Sequence, residues 1–454
     1  MFDPIKASDN IRDEYVSYIT TFFHLADQNY ARQFAELLQT PGTIAKGPYL
    51  DITDSFELGK NISTLIDDDE IQMSPLFHEL EPELPDEEKE IKIFRNLYKH
   101  QEKAIRKIIK GKNIVVTTGT GSGKTECFIL PVINHLLKEK EADSLDDGVR
   151  AIIIYPMNAL ANDQMKRLRS IFKEYPAITF GVYNGDTAQD DIEGISKYGE
   201  IHKDRNGRAL KPLKNEVISR ETMQKHPPHI LITNYAMLEY MMLRPKDDLV
   251  FAGAKLRFLI LDEAHIYRGA TGIETSLLLR RLKARISNPG QVQHILTSAT
   301  LGEKDADKDI VSFASNLCDA VFDVDDIIRS KPAPAPLPDF SIDYPMELFD
   351  ELAHSQTSMD TIFEKYKIEF DSSKSESELL YDLCVSSTVY KYLRKCADQP
   401  MTVHDITLKM RAFMNLSDED LVNLIYVASK AEKDKTSLIK ARYHMFTRAL
   451  KEPS

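Results

Sequence analysis

An apolar strand, Asn113-Ile-Val-Val-Thr-Thr118, runs directly into Gly119-Thr-Gly-Ser-Gly-Lys-Thr125, and a helical stretch, ECFILPVINHLL, follows. Strand, glycine loop and helix in that order admit few folds. The glycines let backbone N–H groups turn inward on a tight loop and cradle a phosphate. The helix adds its N-terminal partial positive charge at the same point. On this reading Thr118, Gly119, Thr120, Gly121, Ser122 and Gly123 hold the phosphates. Lys124 lends a point charge to the β- and γ-phosphates, and the Thr125 hydroxyl ligates Mg²⁺. The loop pattern opens on Gly six positions before the lysine, and here that position is Thr118.

Short apolar runs alternate with helical stretches from about residue 92: Asn113–Thr117, Ala151–Tyr155, Ile178–Tyr183, His229–Thr233, Arg257–Leu261 and His294–Ser298. Continuous apolar strands are buried on both faces, which predicts an α/β lobe with a mainly parallel sheet. Asp262 and Glu263 directly follow one such strand, where open α/β sheets bind ligands. Asp262 is expected to hold Mg²⁺ through water, and Glu263 to orient and deprotonate the water that attacks the γ-phosphate.

The rest of the chain divides by texture. Residues 1–88 read as a helical, acidic region, with Pro41 and Gly42 breaking the helical periodicity. Residues 89–305 carry the α/β lobe, with a polar insertion at 186–226 that decorates the sheet rather than joining it. Residues 306–344 read as a Pro-rich connector, and 345–454 as a helical accessory region, either a bundle or a winged-helix-like module. Ser417-Asp-Glu-Asp420 and Thr402-Val-His-Asp405 read there as helix starts. The net charge of −13 argues against a wholly basic nucleic-acid coat protein but leaves room for a local basic groove. Lys166, Arg167 and Arg169 could line such a groove or form a solvated face. Cys127, Cys318, Cys384 and Cys396 form no CxxC pair and read as buried thiols. Neither a membrane-length apolar run nor a signal-peptide core is visible, which predicts a cytoplasmic protein without a membrane partner.

Thr118–Thr125, the Asp262-Glu-Ala-His265 run and Ser298-Ala-Thr300 together resemble motifs I, II and III of superfamily 2 DEAD/DEAH-box helicases. Gln101, 23 residues before Lys124, lies about where that superfamily reads adenine. Tyr155–Gln164 is similar to motif Ia, Val182–Asp186 to the glycine element after it, and Ile232–Leu238 to motif Ic. The run DEAHIYRGATGIETSLLLRRL is similar to MrfA-type repair helicases and to the large helicases of bacterial anti-phage systems such as Druantia. The tail RYHMFTRAL looks like a segment that lies between the two motor lobes in that group. The resemblance implies a first RecA-like lobe that binds Mg-ATP and takes nucleic acid, DNA favoured over RNA, across its top. It assigns backbone contact to Asn158, Thr233, Asn234 and Tyr235, with Arg268 as a contact or interlobe partner. Ser298, Thr300 and His265 would link nucleotide state to grip.

A second series of strands and helices, and the arginines it would bring, is not apparent after residue 302. The expectation is therefore the N-terminal half of an ATP-dependent DNA helicase or translocase in repair or defence, nearly inactive alone. A second RecA-like lobe would come from the same longer polypeptide or a separate chain. Two alternatives stay open: the double-strand DNA translocase subunit of a restriction-type complex, and a non-catalytic nucleotide-binding scaffold.

Overall fold

The computed structural model describes the chain apart from residues 1, 24, 41, 81–92, 120, 204–206, 252–253, 287–288, 301–305, 335–340, 434–435 and 448–454. Thr120, Asn206 and much of the Pro-rich spacer fall outside the described residues. The chain gathers into two compact units, one of residues 57–331 and one of residues 1–56 with 332–454.

The 57–331 unit is built on one eight-stranded sheet. Its strands are β1 (Ile114–Thr117), β2 (Ala151–Ile154), β3 (Phe180–Tyr183), β4 (Glu216–Val217), β5 (Ile230–Thr233), β6 (Phe258–Leu261), β7 (Gln293–Ser298) and β8 (Ile327–Arg329). Their spatial order is β8-β1-β7-β6-β2-β5-β3-β4, and every ladder is parallel. This is a RecA-like α/β lobe.

Alternate side chains fill two separate cores, as period-2 strands require. Ile114, Val116, Ile153, Ile232, Ile260 and Ile295 pack on one face. Val115, Ile152, Ile154, Leu231, Leu259, Leu261 and Leu296 pack on the other. Full burial of each such aliphatic stabilises by roughly 1.5–3 kcal/mol. β7 lies between β1 and β6, with Ser298 opposite Thr117 and Leu296 opposite Leu261. The glycine loop after β1 and the acid pair after β6 therefore emerge at the same end, on either side of Thr297 and Ser298.

Two expectations need correction. The polar segment 186–226 does join the sheet, because Glu216–Val217 pairs with Phe180–Gly181 at its edge. The first part of the expected connector is also lobe structure. Helix Asp307–Cys318 buries Ile310, Ala314 and Leu317, and β8 pairs with Val115–Thr117. β8 is only three residues long and is preceded by an acidic turn, Asp323–Asp326, so it leaves no readable period.

The other unit is mainly helical, with a core that includes Leu348, Phe349, Leu383, Tyr390, Leu393, Leu424 and Val427. The 1–56 segment is not helical throughout: Ala45–Thr53 is a strand. It pairs antiparallel with Lys440–Thr447 on one side and Met401–Thr402 on the other. Helices Val403–Met410 and Asp418–Lys430 lie against this sheet, a winged-helix-like arrangement whose middle strand comes from the N-terminal segment. The Thr402 hydroxyl accepts from the Asp405 N–H, and Ser417 and Asp420 form a reciprocal capping box. Helix Asp418–Lys430 begins with three acids and buries seven residues, so it is ill suited to lie on phosphates. All four cysteines are buried free thiols. Among the described residues no helix is long and apolar enough to cross a membrane.

Candidate nucleotide site

The glycine loop takes its shape from backbone that only glycine adopts freely. Gly121 and Gly123 have φ of 72° and 73°, and Gly123 caps helix Lys124–Glu141 in the left-handed region. A Cβ on Gly123 would stand 2.2 Å from Gln101 Nε2. The loop is held from three directions. Thr118 Oγ1 and Ser122 Oγ lie 2.6 Å apart, a bond that the usual glycine at position 118 could not make. Gln101 Nε2 donates to Gly123 O at 2.9 Å while its Oε1 accepts from Tyr98 N at 2.8 Å. His100 Nε2 lies 2.9 Å from Ser122 O. Thr118 N donates to Ser298 O at 3.2 Å, which ties the loop to β7. Thr120 is outside the described residues.

Across from the loop, Lys124 Nζ lies 3.2 Å from Glu263 Oε1, with side chains 11% and 23% exposed. Glu263 has φ of +48°, unusual for a residue with a side chain. Such strained backbone clusters at functional sites. Asp262 Oδ1 accepts a short bond from the Thr297 hydroxyl. Burial pushes the Asp262 carboxyl up from its ordinary value; the Thr297 bond opposes that, Glu263 adds to it, and Lys124 opposes it. Glu263 Oε2 is buried without a hydrogen bond, and His265 Nδ1 lies 3.3 Å from it and 3.1 Å from Ser298 Oγ. Ser298 Oγ also accepts from Thr300 N at 3.1 Å, while Thr300 itself is exposed. The hydroxyls of Tyr155 and Tyr267 are buried without partners, and both phenol pKa values are raised, by burial first and then by the Asp262 charge.

This donor set suits Mg²⁺. Thr125 and Asp262 offer hard oxygens, and Mg²⁺ is commonly held by one or two carboxylates together with substrate phosphates. Glu263 Oε2 and the hydroxyls of Tyr155 and Tyr267 are buried polar atoms without a hydrogen bond, free to bind the waters of a hydrated cation. Among the described residues no cluster of three His, Cys, Asp or Glu side chains is placed to hold a metal.

Raising the Asp262 pKa makes that residue costly to the empty fold. The unfolded chain releases this proton first, so the cost is absent below the ordinary carboxylate range and is fully present above the folded pKa. Asp262→Asn is therefore expected to stabilise the ligand-free protein near neutral pH by roughly 0.5–2 kcal/mol, as removing a functional burden often does. Melting curves at acid and neutral pH check this: the gain should vanish in acid, and a destabilised variant at neutral pH refutes it.

The expected nucleic-acid residues fall into two groups. Asn158 begins helix Asn158–Phe172; its Oδ1 accepts from Asn234 Nδ2 at 3.1 Å, and its Nδ2 donates to Asp186 Oδ2 at 3.3 Å. Asn234 caps helix Tyr235–Leu243 by accepting from Met237 N. These groups sit at the ends of β2, β3 and β5 as one polar cluster. Thr233 stands apart, because its hydroxyl is buried and donates to Tyr183 O at 2.7 Å. Tyr235 packs edge-on against Tyr267 with ring centres 6.4 Å apart. Arg268 is exposed and lines an apolar groove of about 830 Å³ between helices Gly269–Arg285 and Asp307–Cys318, away from the glycine loop. The basic trio does not form a free basic face: Arg169 binds Glu216 at 2.6 Å and Arg167 lies 3.5 Å from Glu126. Sequence reasoning missed Thr297 and Gln164. Thr297 adjoins the Ser-Ala-Thr run, and Gln164 lies within the motif Ia stretch; only strand register and helix phase reveal their contacts.

A glycine loop after one parallel strand, facing an acid pair two strands away, defines a P-loop nucleotide-binding lobe of the RecA-like class. Residues 98–308 match the DEAD/DEAH box helicase family, and the chain carries a DEAD/DEAH-box helicase domain. It is 31% identical to Druantia protein DruE of Escherichia coli, over 66% of this chain and 20% of DruE. It is 32% identical to the uncharacterized ATP-dependent helicase YprA of Bacillus subtilis, over 45% of this chain and 23% of YprA. The crystal structure of the DUF1998 helicase MrfA bound to DNA overlays 65% of this chain and 31% of that chain, at 24% identity. Its TM-score of 0.42 is too low to add to the fold argument. The chain spans about a fifth of the length of DruE and YprA.

Proposed function

We propose that this lobe binds Mg-ATP and couples its hydrolysis to movement on nucleic acid, DNA before RNA, as the first half of a helicase motor. The observation that carries the reading is the 3.2 Å approach of Lys124 to Glu263, brought together from β1 and β6 across β7. Lys124 and the loop N–H groups grip the phosphates. Thr125 and Asp262 hold Mg²⁺, which neutralises charge developing on the transferred phosphoryl group. Glu263 orients and deprotonates the attacking water. His265 and Ser298 tie that carboxylate to β7, and the Asn158–Asn234 cluster supplies uncharged donors to backbone phosphates without reading sequence.

Full turnover on this reading needs an arginine from a second RecA-like lobe, a contribution worth about 10³–10⁵ in rate. The described residues contain one large parallel sheet. The 454-residue chain is accordingly expected to bind ATP with Mg²⁺ yet hydrolyse it barely above background, with or without DNA, until a second lobe is supplied. Equilibrium binding with a fluorescent ATP analogue and phosphate release check both halves. Absence of ATP binding would overturn the motor reading, and strong DNA-stimulated turnover would overturn the need for a second lobe. The similarity to Druantia protein DruE, over 66% of the chain, supports an anti-phage setting for this motor. A strand-displacement assay on the two-lobed system separates a helicase from a duplex translocase.

A further inference from the structure

Helix Asn158–Phe172 touches two places that the proposed motor must keep in step. At its start Asn158 joins Asn234 and Asp186. Two turns later Gln164 Nε2 donates to Thr125 Oγ1 at 3.2 Å. One further turn on, Arg167 Nη1 lies 3.5 Å from Glu126 Oε2. Gln164 and Arg167 are three residues apart and so share a helix face, and they meet consecutive residues of the first turn of Lys124–Glu141. Ala161, Met165, Leu168, Ile171 and Phe172 seat the adjoining side of the helix in the core. The helix is thus fixed along its length, with polar contacts at both ends of a span of about 9 Å.

The bond to Thr125 has a specific consequence. A hydroxyl has one hydrogen and two lone pairs. The Gln164 amide takes one lone pair, which leaves the other for a cation and fixes how the oxygen faces. We propose that Gln164 is a positioning residue for the Mg²⁺-ligating hydroxyl of Thr125, and that helix Asn158–Phe172 couples the polar cluster at its start to that hydroxyl. The proposal rests on the Mg-ATP reading above. Coupling of this kind is reciprocal: whatever occupies the cluster should change Mg²⁺ affinity, and Mg²⁺ should change affinity at the cluster.

Gln164→Met keeps the length of the side chain and removes the amide. In the 454-residue chain, binding of a fluorescent ATP analogue is followed in EDTA and then against Mg²⁺. The expected result is binding in EDTA within about twofold of the parent, and a Mg²⁺ midpoint raised about five- to tenfold, the scale of one lost hydrogen bond. In a Thr125→Ala background the same change should leave the midpoint where Thr125→Ala alone puts it. A purely structural role would instead weaken binding in EDTA as well, and the two variants would add. A single-stranded DNA oligonucleotide should lower the midpoint of the parent and not that of Gln164→Met. If Gln164→Met folds poorly, Gln164→Ala serves in the same cycle, with melting of the ligand-free protein as the control. An unmoved midpoint or additive effects overturn the positioning role, and equal DNA shifts in parent and variant overturn the coupling. A parent chain that fails to bind ATP refutes the underlying Mg-ATP reading instead.

Discussion

Lys124→Ala is expected to lower ATP affinity by about 30- to 1,000-fold, the range that follows from removing one partner of a desolvated charge pair. The side chain is 11% exposed and lies 3.2 Å from Glu263, so little water stands ready to replace it. Losing the ammonium also leaves Asp262 and Glu263 side by side without their nearest cation. Lys124 is among the groups holding the Asp262 carboxyl down, so its loss should push that carboxyl further up. Mg²⁺-dependent binding, which needs the ionised form, should then fade at a higher pH than in the parent. Lys124→Arg keeps the charge and should recover part of the affinity, since a planar fork does not replace a compact ammonium. Calorimetric titration of ATP across pH measures both effects. Unchanged affinity in Lys124→Ala would mean that the loop does not grip the phosphates.

The sequence was legible where the physics is local. The six apolar runs are strands to within two residues at either end, because a strand buried on both faces must be apolar throughout. The Lys124–Glu263 meeting was legible too, since both residues follow strands whose C-terminal ends must share one rim. What stayed hidden depends on partners far away in the chain. Ala45–Thr53 is half-buried and mixed in polarity, and its strand partners, Met401–Thr402 and Lys440–Thr447, lie about 350 to 400 residues on. Glu216–Val217 is too short for any period, and its acid is paired with Arg169 from helix Asn158–Phe172. That pairing is also why three basic residues in a row of four did not add up to a basic surface. Thr233 shows the same limit at the scale of one side chain: its place at the end of β5 was foreseeable, but the inward turn of its hydroxyl was not.

Glu263→Gln should separate binding from chemistry more cleanly than any other single change. The amide matches the carboxylate in size and leaves the unusual backbone at φ +48° unaltered, so the loop after β6 should keep its shape. Lys124 loses the anion it pairs with, which leaves its charge for the triphosphate; ATP affinity should hold or rise. Water activation is lost, and turnover in the two-lobed motor should fall about 10²- to 10⁴-fold, the usual worth of a positioned general base. A second effect follows at the metal site. Glu263 is one of the charges raising the Asp262 carboxyl, so its neutralisation should bring that carboxyl back toward its ordinary value. Mg²⁺-dependent binding should then persist to lower pH in Glu263→Gln than in the parent, the reverse of the Lys124→Ala shift. A variant that loses ATP binding, or one whose pH profile moves the same way as that of Lys124→Ala, would show that Glu263 serves the ground state of the complex rather than the attacking water.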